Sequence, residues 1–464
     1  MRGVLSRNFV KIAVIIDPPP NAVALIQSKS LELLEWPRLC QHLSTFAATK
    51  LGATAARHLK IPATAAESLA LLQQTQEVYD LENRSVSSFS FEGIYDIGPA
   101  LERVAHQGIL NGEALLQIAT TLAGSRALRR LIDRQPDLTA LNQLVAVVRT
   151  YPELEQEIRH CIDERGQVAD RASPKLAGIR SQQHQLREQV YQMLQNLLQR
   201  KSNAIQEPLI TQRGDRFVIP VKVAQKETIP GIVHDTSTSG ATLYVEPHAT
   251  VQLNNQLRQL LRQEQVESEA IRKALSEQVA AVHPELEQLL GVVTTLDLAT
   301  ARARYSLWLQ GSPPQFIDRQ AGATMMLRQL RHPLLVWQQQ HEQGPAVVPI
   351  DLFIPPQTRV VAITGPNTGG KTVALKTLGL VALMAKAGLF VPAREPVALP
   401  WFDQVLADIG DEQSIEQNLS TFSSHVQRIK HVLDALREQS LVLLDEVGAG
   451  TDPSEGSALA IALL

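Results

Sequence analysis

Gly365-Pro366-Asn367-Thr368-Gly369-Gly370-Lys371-Thr372 decides how this chain is read, because it has the G-x-x-x-x-G-K-[ST] spacing of a phosphate-binding loop. The apolar run at 360–363 before it predicts a buried strand, and 373–385 after it predicts a helix. The loop therefore falls at a strand-to-helix junction, the context this pattern needs. Its glycines let backbone N–H groups turn inward around a polyphosphate, and the helix N-terminus adds a dipole that favours negative charge. Lys371 would then reach the β- and γ-phosphates, and the Thr372 hydroxyl would ligate Mg²⁺. The plain alternative is a glycine-rich turn with no ligand.

Leu441-Val442-Leu443-Leu444-Asp445-Glu446 argues against that alternative. An apolar strand ending in two carboxylates delivers both acids to the carboxyl edge of a sheet, where phosphate loops also lie. Asp445 would hold the Mg²⁺ hydration shell, and Glu446 would orient or deprotonate the attacking water. Taken alone, the pair reads equally as a solvated acidic turn.

Composition sets the bounds. At 464 residues the chain exceeds one ordinary core, so several domains are expected. Aromatics at 4% give little support to base-stacking platforms. A net charge of −3 leaves no global basic field, so any nucleic-acid binding must come from local patches. Cys40 and Cys161 form no zinc pattern and suggest a reducing, cytoplasmic setting. The apolar run at 10–16 is too short to cross a membrane and ends at Asp17-Pro18-Pro19-Pro20. Residues 1–21 read as an extension.

From 22 to 172 the spacing is helical, with Leu31, Leu34 and Leu39, then Leu69, Leu72 and Val78, supplying apolar faces. His42, His58 and His106 stand alone and read as core or surface rather than ligands. Leu176, Ile179, Gln183, Leu186, Val190, Met193 and Leu197 form a heptad seam in an arm helix assigned to 173–208. Leu275, Val279, Val282, Leu286, Leu289, Val293 and Leu296 form a second seam, in a returning helix at 251–311. Pairing the two antiparallel would make a coiled-coil arm. Between them, at 209–250, the period changes to two. Phe217, Ile219, Val221 and Val223 alternate along one strand, and 231–234 and 242–245 supply two more. Arg213, Arg216, Lys222 and Lys226 would give this module a basic face for a phosphate backbone, unless they only guard a sheet edge. Pro313-Pro314 opens the last region, 312–464, where 323–330 and 347–353 should be strands leading to the phosphate loop.

The phosphate loop, Asp408-Ile409-Gly410-Asp411-Glu412-Gln413-Ser414, Ser420-Thr421-Phe422-Ser423-Ser424-His425 and Leu444-Asp445-Glu446 resemble the ATPase motifs of the MutS mismatch-recognition family. Pro230-Gly231-Ile232-Val233-His234-Asp235 and Ser239-Gly240-Ala241-Thr242 are similar to its MutS-two branch. The likeness runs from about residue 22 to the end. It implies a multidomain α plus α/β fold, with a helical N-terminal region, a lever arm bearing a small β clamp, and an ABC-type ATPase domain. It further implies ATP and Mg²⁺ as cofactors and a homodimer in which Ser420 and Thr421 complete the opposite subunit's Lys371–Glu446 site. Asn367 and Gln413 would belong to the nucleotide site, and 448–452 to the dimer interface. Branched DNA, with suppression of recombination, and collided ribosomes are the targets linked to this branch. No Phe-x-Glu mismatch wedge occurs near the N-terminus.

The wording stops at Leu464, in the apolar helix after Asp445-Glu446. Members of the branch continue with a switch histidine, closing ATPase elements and a small nuclease domain. The expectation is therefore an incomplete ATPase domain, from a fragment or a broken gene, whose turnover is open and which has no nuclease activity of its own. A clamp driven by ATP leads; a non-catalytic ATP-binding or dimerisation module is the alternative. An arm-bearing ATPase of the chromosome-maintenance kind would need a longer coiled coil.

Overall fold

The structure, a computed structural model, describes residues 20–84, 89–365, 369–409, 418–447 and 453–463. Pro366, Asn367, Thr368, Gln413, the loop at 448–452 and most of the 1–21 extension lie outside the described residues. So do the side chains of Ser420 and Thr421. Two compact units emerge, one from 1–91, 131–147 and 292–464, the other from 92–130 and 148–291. The helical region expected at 22–172 is thus shared between them. Its helices are α1 (Pro20–Leu33), α2 (Trp36–Ser44), α3 (Lys50–Arg57), α4 (Ala65–Arg84), α5 (Gly98–Ala105), α6 (Gly112–Asp133), α7 (Thr139–Ala146) and α8 (Pro152–Cys161). Prolines sit in the first turn of α2, α5 and α8, where a missing N–H breaks no helical bond.

In the second unit, α9 (Pro174–Arg200) starts at Ser173, whose hydroxyl accepts from Leu176 N at 3.4 Å. A four-stranded antiparallel sheet follows, from β1 (Thr211–Arg213), β2 (Arg216–Lys222), β3 (Gly231–Thr236) and β4 (Thr242–Pro247), ordered β1-β2-β4-β3. Then α10 (His248–Ala281) runs back along α9. Glu267 meets Ser173 at 2.9 Å, and Glu264 meets Arg180 and Gln183 at 2.8 Å, so the two helices are antiparallel. Val190 and Leu194 of α9, Leu257 of α10, and Phe217, Ile219, Val221 and Val245 of the sheet form one core.

Two details of the seams differ from the sequence reading. Leu194, not Met193, carries the inward position; Met193 is 40% exposed. The helix that lies against α9 is the 253–267 stretch of α10, not the seam at 275–296. That seam is interrupted at Val282, which leaves helical geometry at φ −122° before α11 (His283–Trp308) begins. Pro284 supplies the reason: in a continuous helix its nitrogen would have to donate to the Ala280 carbonyl, but it has no N–H and its ring crowds that oxygen.

In the first unit, β5 (Pro314–Ile317), β6 (Met325–Leu330), α12 (Pro333–His341), β7 (Ile350–Ile354), α13 (Lys371–Lys386), β8 (Arg394–Pro400), β9 (Gln404–Asp408), α14 (Asn418–Ala435), β10 (Ser440–Leu444) and α15 (Pro453–Leu463) follow α11. One mixed sheet has the order β5-β8-β6-β7, and β9 pairs in parallel with β10. Leu34, Leu39, Leu43, Tyr305, Leu327, Leu380, Leu399, Val405 and Leu443 share a core, so the N-terminal helices pack with the last third of the chain. His42 is buried there, stacked 4.0 Å from Trp337, and burial pushes its pKa down to about 4. It is a core histidine.

The strand expected at 360–363 is not formed. These residues belong to no helix or strand and join no ladder, and Val361 is 53% exposed. An apolar run sets a preference for extended backbone, but the pairing strand must come from elsewhere, and none of the described strands lies alongside.

Candidate nucleotide site

The site is built on the first turn of α13. Gly370 precedes the helix at φ 79° and Gly365 opens the loop at φ 146°, backbone angles that side-chain-bearing residues avoid. Glycine is therefore required at both ends of the turn for geometric reasons. At its far end α13 closes with Gly388 at φ 81°, where Gly388 N donates to Ala385 O and Leu389 N to Met384 O at 2.9 Å. The helix is thereby delimited on both sides, and its N-terminal N–H groups face the loop.

Lys371 Nζ donates to Gly365 O at 2.6 Å, so the ammonium folds back over the loop. Thr372 Oγ1 donates to Asp445 Oδ2 at 2.5 Å, joining two motifs that stand 73 positions apart. Asp445 follows β10, and its N–H donates to Asp408 O at 3.0 Å, prolonging the β9–β10 pairing by one bond. The next residue, Glu446, takes φ 49° and is exposed. Of the expected residues, the fold thus gathers Gly365, Gly370, Lys371, Thr372 and Asp445 at one place and leaves Glu446 at its rim.

Sequence reasoning missed Asp408 as an individual residue. Its carboxylate is 3% exposed and accepts from Arg428 Nε of α14 at 2.7 Å. Its position at the end of a strand, level with Leu444, was the available signal.

Mg²⁺ prefers hard oxygen ligands, and a hydroxyl facing a carboxylate is such a donor set. The Lys371 contact to a loop carbonyl is one that a phosphate oxygen would replace. These residues fit a magnesium–nucleotide pair. Among the described residues no group of three or more His, Cys, Asp or Glu forms another metal site.

The four basic residues of the β module fare differently. Arg216 Nη1 donates to Glu246 Oε1 and Oε2 at 2.8 and 2.9 Å, and its Nη2 to Asn255 at 2.6 Å. Glu246 is fully buried and also receives His234 Nε2 at 2.6 Å and Asn254 Nδ2 at 2.8 Å. Arg216 is therefore the counter-ion of a carboxylate that has no access to water, and its guanidinium is engaged within the module. Arg213 pairs with Asp235 at 2.9 Å and lies 3.8 Å over the Tyr244 ring. Lys222 donates to Asn203 O at 3.2 Å, and Lys226 is exposed.

Fold and site together define a class: a multidomain protein of helices and small sheets with a lysine, a hydroxyl and a carboxylate gathered at a helix start. A family model described as MutS domain V matches residues 361–464. The protein named Endonuclease MutS2 of Synechocystis sp. is 60% identical over 457 residues, covering 95% of this chain and 56% of the relative. Those of Symbiobacterium thermophilum and Halalkalibacterium halodurans are 40% and 41% identical over 442 residues, covering 95% and 94% of this chain and 54% and 55% of theirs. The chain spans about half the length of the curated relatives it matches. Over nearly its whole length the chain is thus similar to MutS-family proteins of the MutS2 subfamily, and its last part matches the family's domain V.

Proposed function

We propose that this chain binds and hydrolyses ATP with Mg²⁺ and uses the nucleotide to work as a MutS-like clamp on DNA. The observation that carries the reading is the Thr372–Asp445 contact of 2.5 Å beside Lys371, at the start of a helix. Gly365, Gly369, Gly370 and the loop residues Asn367 and Thr368 would supply backbone N–H donors to the phosphates, and Pro366, which has no N–H, would belong to the loop without donating. Lys371 would neutralise the β- and γ-phosphates, and Thr372 and Asp445 would hold the metal. Glu446, which is exposed, would orient or deprotonate water. Gln413 would sense the nucleotide, and Ser420 and Thr421 of a second copy would complete the site, making a homodimer. A reducing, cytoplasmic setting suits the two free, buried thiols.

Branched DNA is the target we favour, with the collided ribosome as the other polyanion. Arg213, Lys222 and Lys226 are the contacts proposed on the β module. The exposed, unpaired run at 360–363 favours a second reading, an ATP-binding and dimerisation module without turnover. Titrating a labelled ATP analogue into the chain and into Lys371→Ala tests the site. Binding should be lost in the variant, and unchanged affinity ends the reading. Co-sedimentation with a four-way DNA junction and with ribosomes, in ATP and in ADP, separates the targets.

A further inference from the structure

The helix that carries Lys371 and Thr372 is held unevenly. Residues 380–386 of α13 are buried, whereas 371–376 are half-buried except Val373, which is 41% exposed. Thr372, Lys376 and Gly379 follow at i, i+4 and i+7 and share one face. Each meets a named partner on it. Thr372 meets Asp445 at 2.5 Å. A Cβ on Gly379 would come within 2.6 Å of Leu34 and of Leu443, so helix, α1–α2 corner and β10 close together without room for a methyl group. Lys376 Nζ donates to Glu35 Oε1 at 3.1 Å, across 341 positions of sequence.

Glu35 is the corner residue between α1 and α2. It stands at φ 58°, ψ 29°, the left-handed region in which a side-chain-bearing residue is uncommon. Its N–H donates to Glu32 O at 2.9 Å, and its C=O accepts from Arg38 N and Leu39 N. Backbone bonds therefore fix the direction of its Cα–Cβ bond, from which the carboxylate reaches Lys376. Burial opposes its charge, but Lys376 and then Arg38, at 3.4 Å, outweigh burial and hold the carboxyl below its ordinary range.

From this geometry we infer that Glu35 is a positioning residue for the phosphate loop: through Lys376 it sets where the first two turns of α13 stand, and so where Lys371 and Thr372 point. The inference rests on the nucleotide-site reading above for its functional meaning. The pair is about one-third exposed, so solvent screening limits its strength to roughly a threefold to fivefold effect.

The test uses Glu35→Gln, Lys376→Gln, the double variant and the charge swap Glu35→Lys with Lys376→Glu. Amide hydrogen exchange without nucleotide should rise about threefold to fivefold at 374–378 in each single variant and no further in the double. Exchange at 381–386 should not change. The affinity for a non-hydrolysable ATP analogue with Mg²⁺ should fall by the same factor and recover in part in the swap. Exchange that is unchanged, or that rises equally along the whole helix, would overturn the inference. So would a raised exchange with unaltered nucleotide affinity. If the parent chain binds no nucleotide while exchange responds as described, the nucleotide-site reading fails and Glu35 still positions the helix.

Discussion

Replacing Arg216 by Ala should unlock the β module rather than weaken its contact with a polyanion. Glu246 is fully buried and accepts four hydrogen bonds, two of them from Arg216 Nη1 at 2.8 and 2.9 Å. Removing the guanidinium leaves His234 and Asn254 as its partners. Breaking a buried pair from one side costs about 3–5 kcal/mol, because the remaining charge has lost its compensation. The surviving donors place this case near the lower figure, about 3 kcal/mol, or roughly a hundredfold in the local opening equilibrium. Trp36, Trp308, Trp337 and Trp401 all lie in the other unit, so tryptophan fluorescence would not report the loss. Hydrogen exchange at β2 and β4 would, and protection there should fall by about two orders of magnitude. Retained protection, combined with weaker polyanion binding and a shallower salt dependence, would refute this reasoning and return Arg216 to the binding face.

Glu446→Gln should keep nucleotide binding and lose hydrolysis, since an amide cannot take a proton; hydrolysis at the parental rate would remove Glu446 from the chemistry. Joint replacement of Arg213, Lys222 and Lys226 by Ala should flatten the slope of log affinity against log salt by about one unit per lost phosphate contact, with nucleotide affinity unaltered. An unaltered slope would make these charges guards of a sheet edge. Burial lowers His42 and His332 from 6.5 to about 4, so between those values the unfolded chain binds more protons than the folded one. Stability should therefore be full above about pH 6.5, fall as the pH drops toward 4 and level off below, by about 3 kcal/mol per histidine at most. Melting curves followed by tryptophan fluorescence would measure this, and His42→Phe should make the acid limb shallower.

Short-range features of this protein were legible in its residues. The spacing of Leu176, Ile179, Gln183 and Val190 announced a helix with one apolar face. The alternation at 217–221 announced a strand, and the glycines up to Gly370 announced the start of α13. Each is a local matter of backbone propensity, side-chain period or glycine freedom, so a few neighbours suffice to specify it.

Partnership was decided only in three dimensions. Met193 and Leu194 are equally apolar, and the packing of α9 against α10 and the sheet selected Leu194. The seam at 275–296 kept its burial but not its expected partner, because Pro284 ended one helix and began another. The run at 360–363 has the composition of a strand and no ladder beside it. Arg216 reads as a surface cation until Glu246 is seen behind it, 30 positions away. Glu35 reads as nothing in particular until Lys376 arrives from 341 positions along the chain. The physical reason is common to all of these. A charge or an apolar side chain carries a need for a partner, and its own sequence states the need, but only the folded backbone determines which distant group meets it and whether water is left between them.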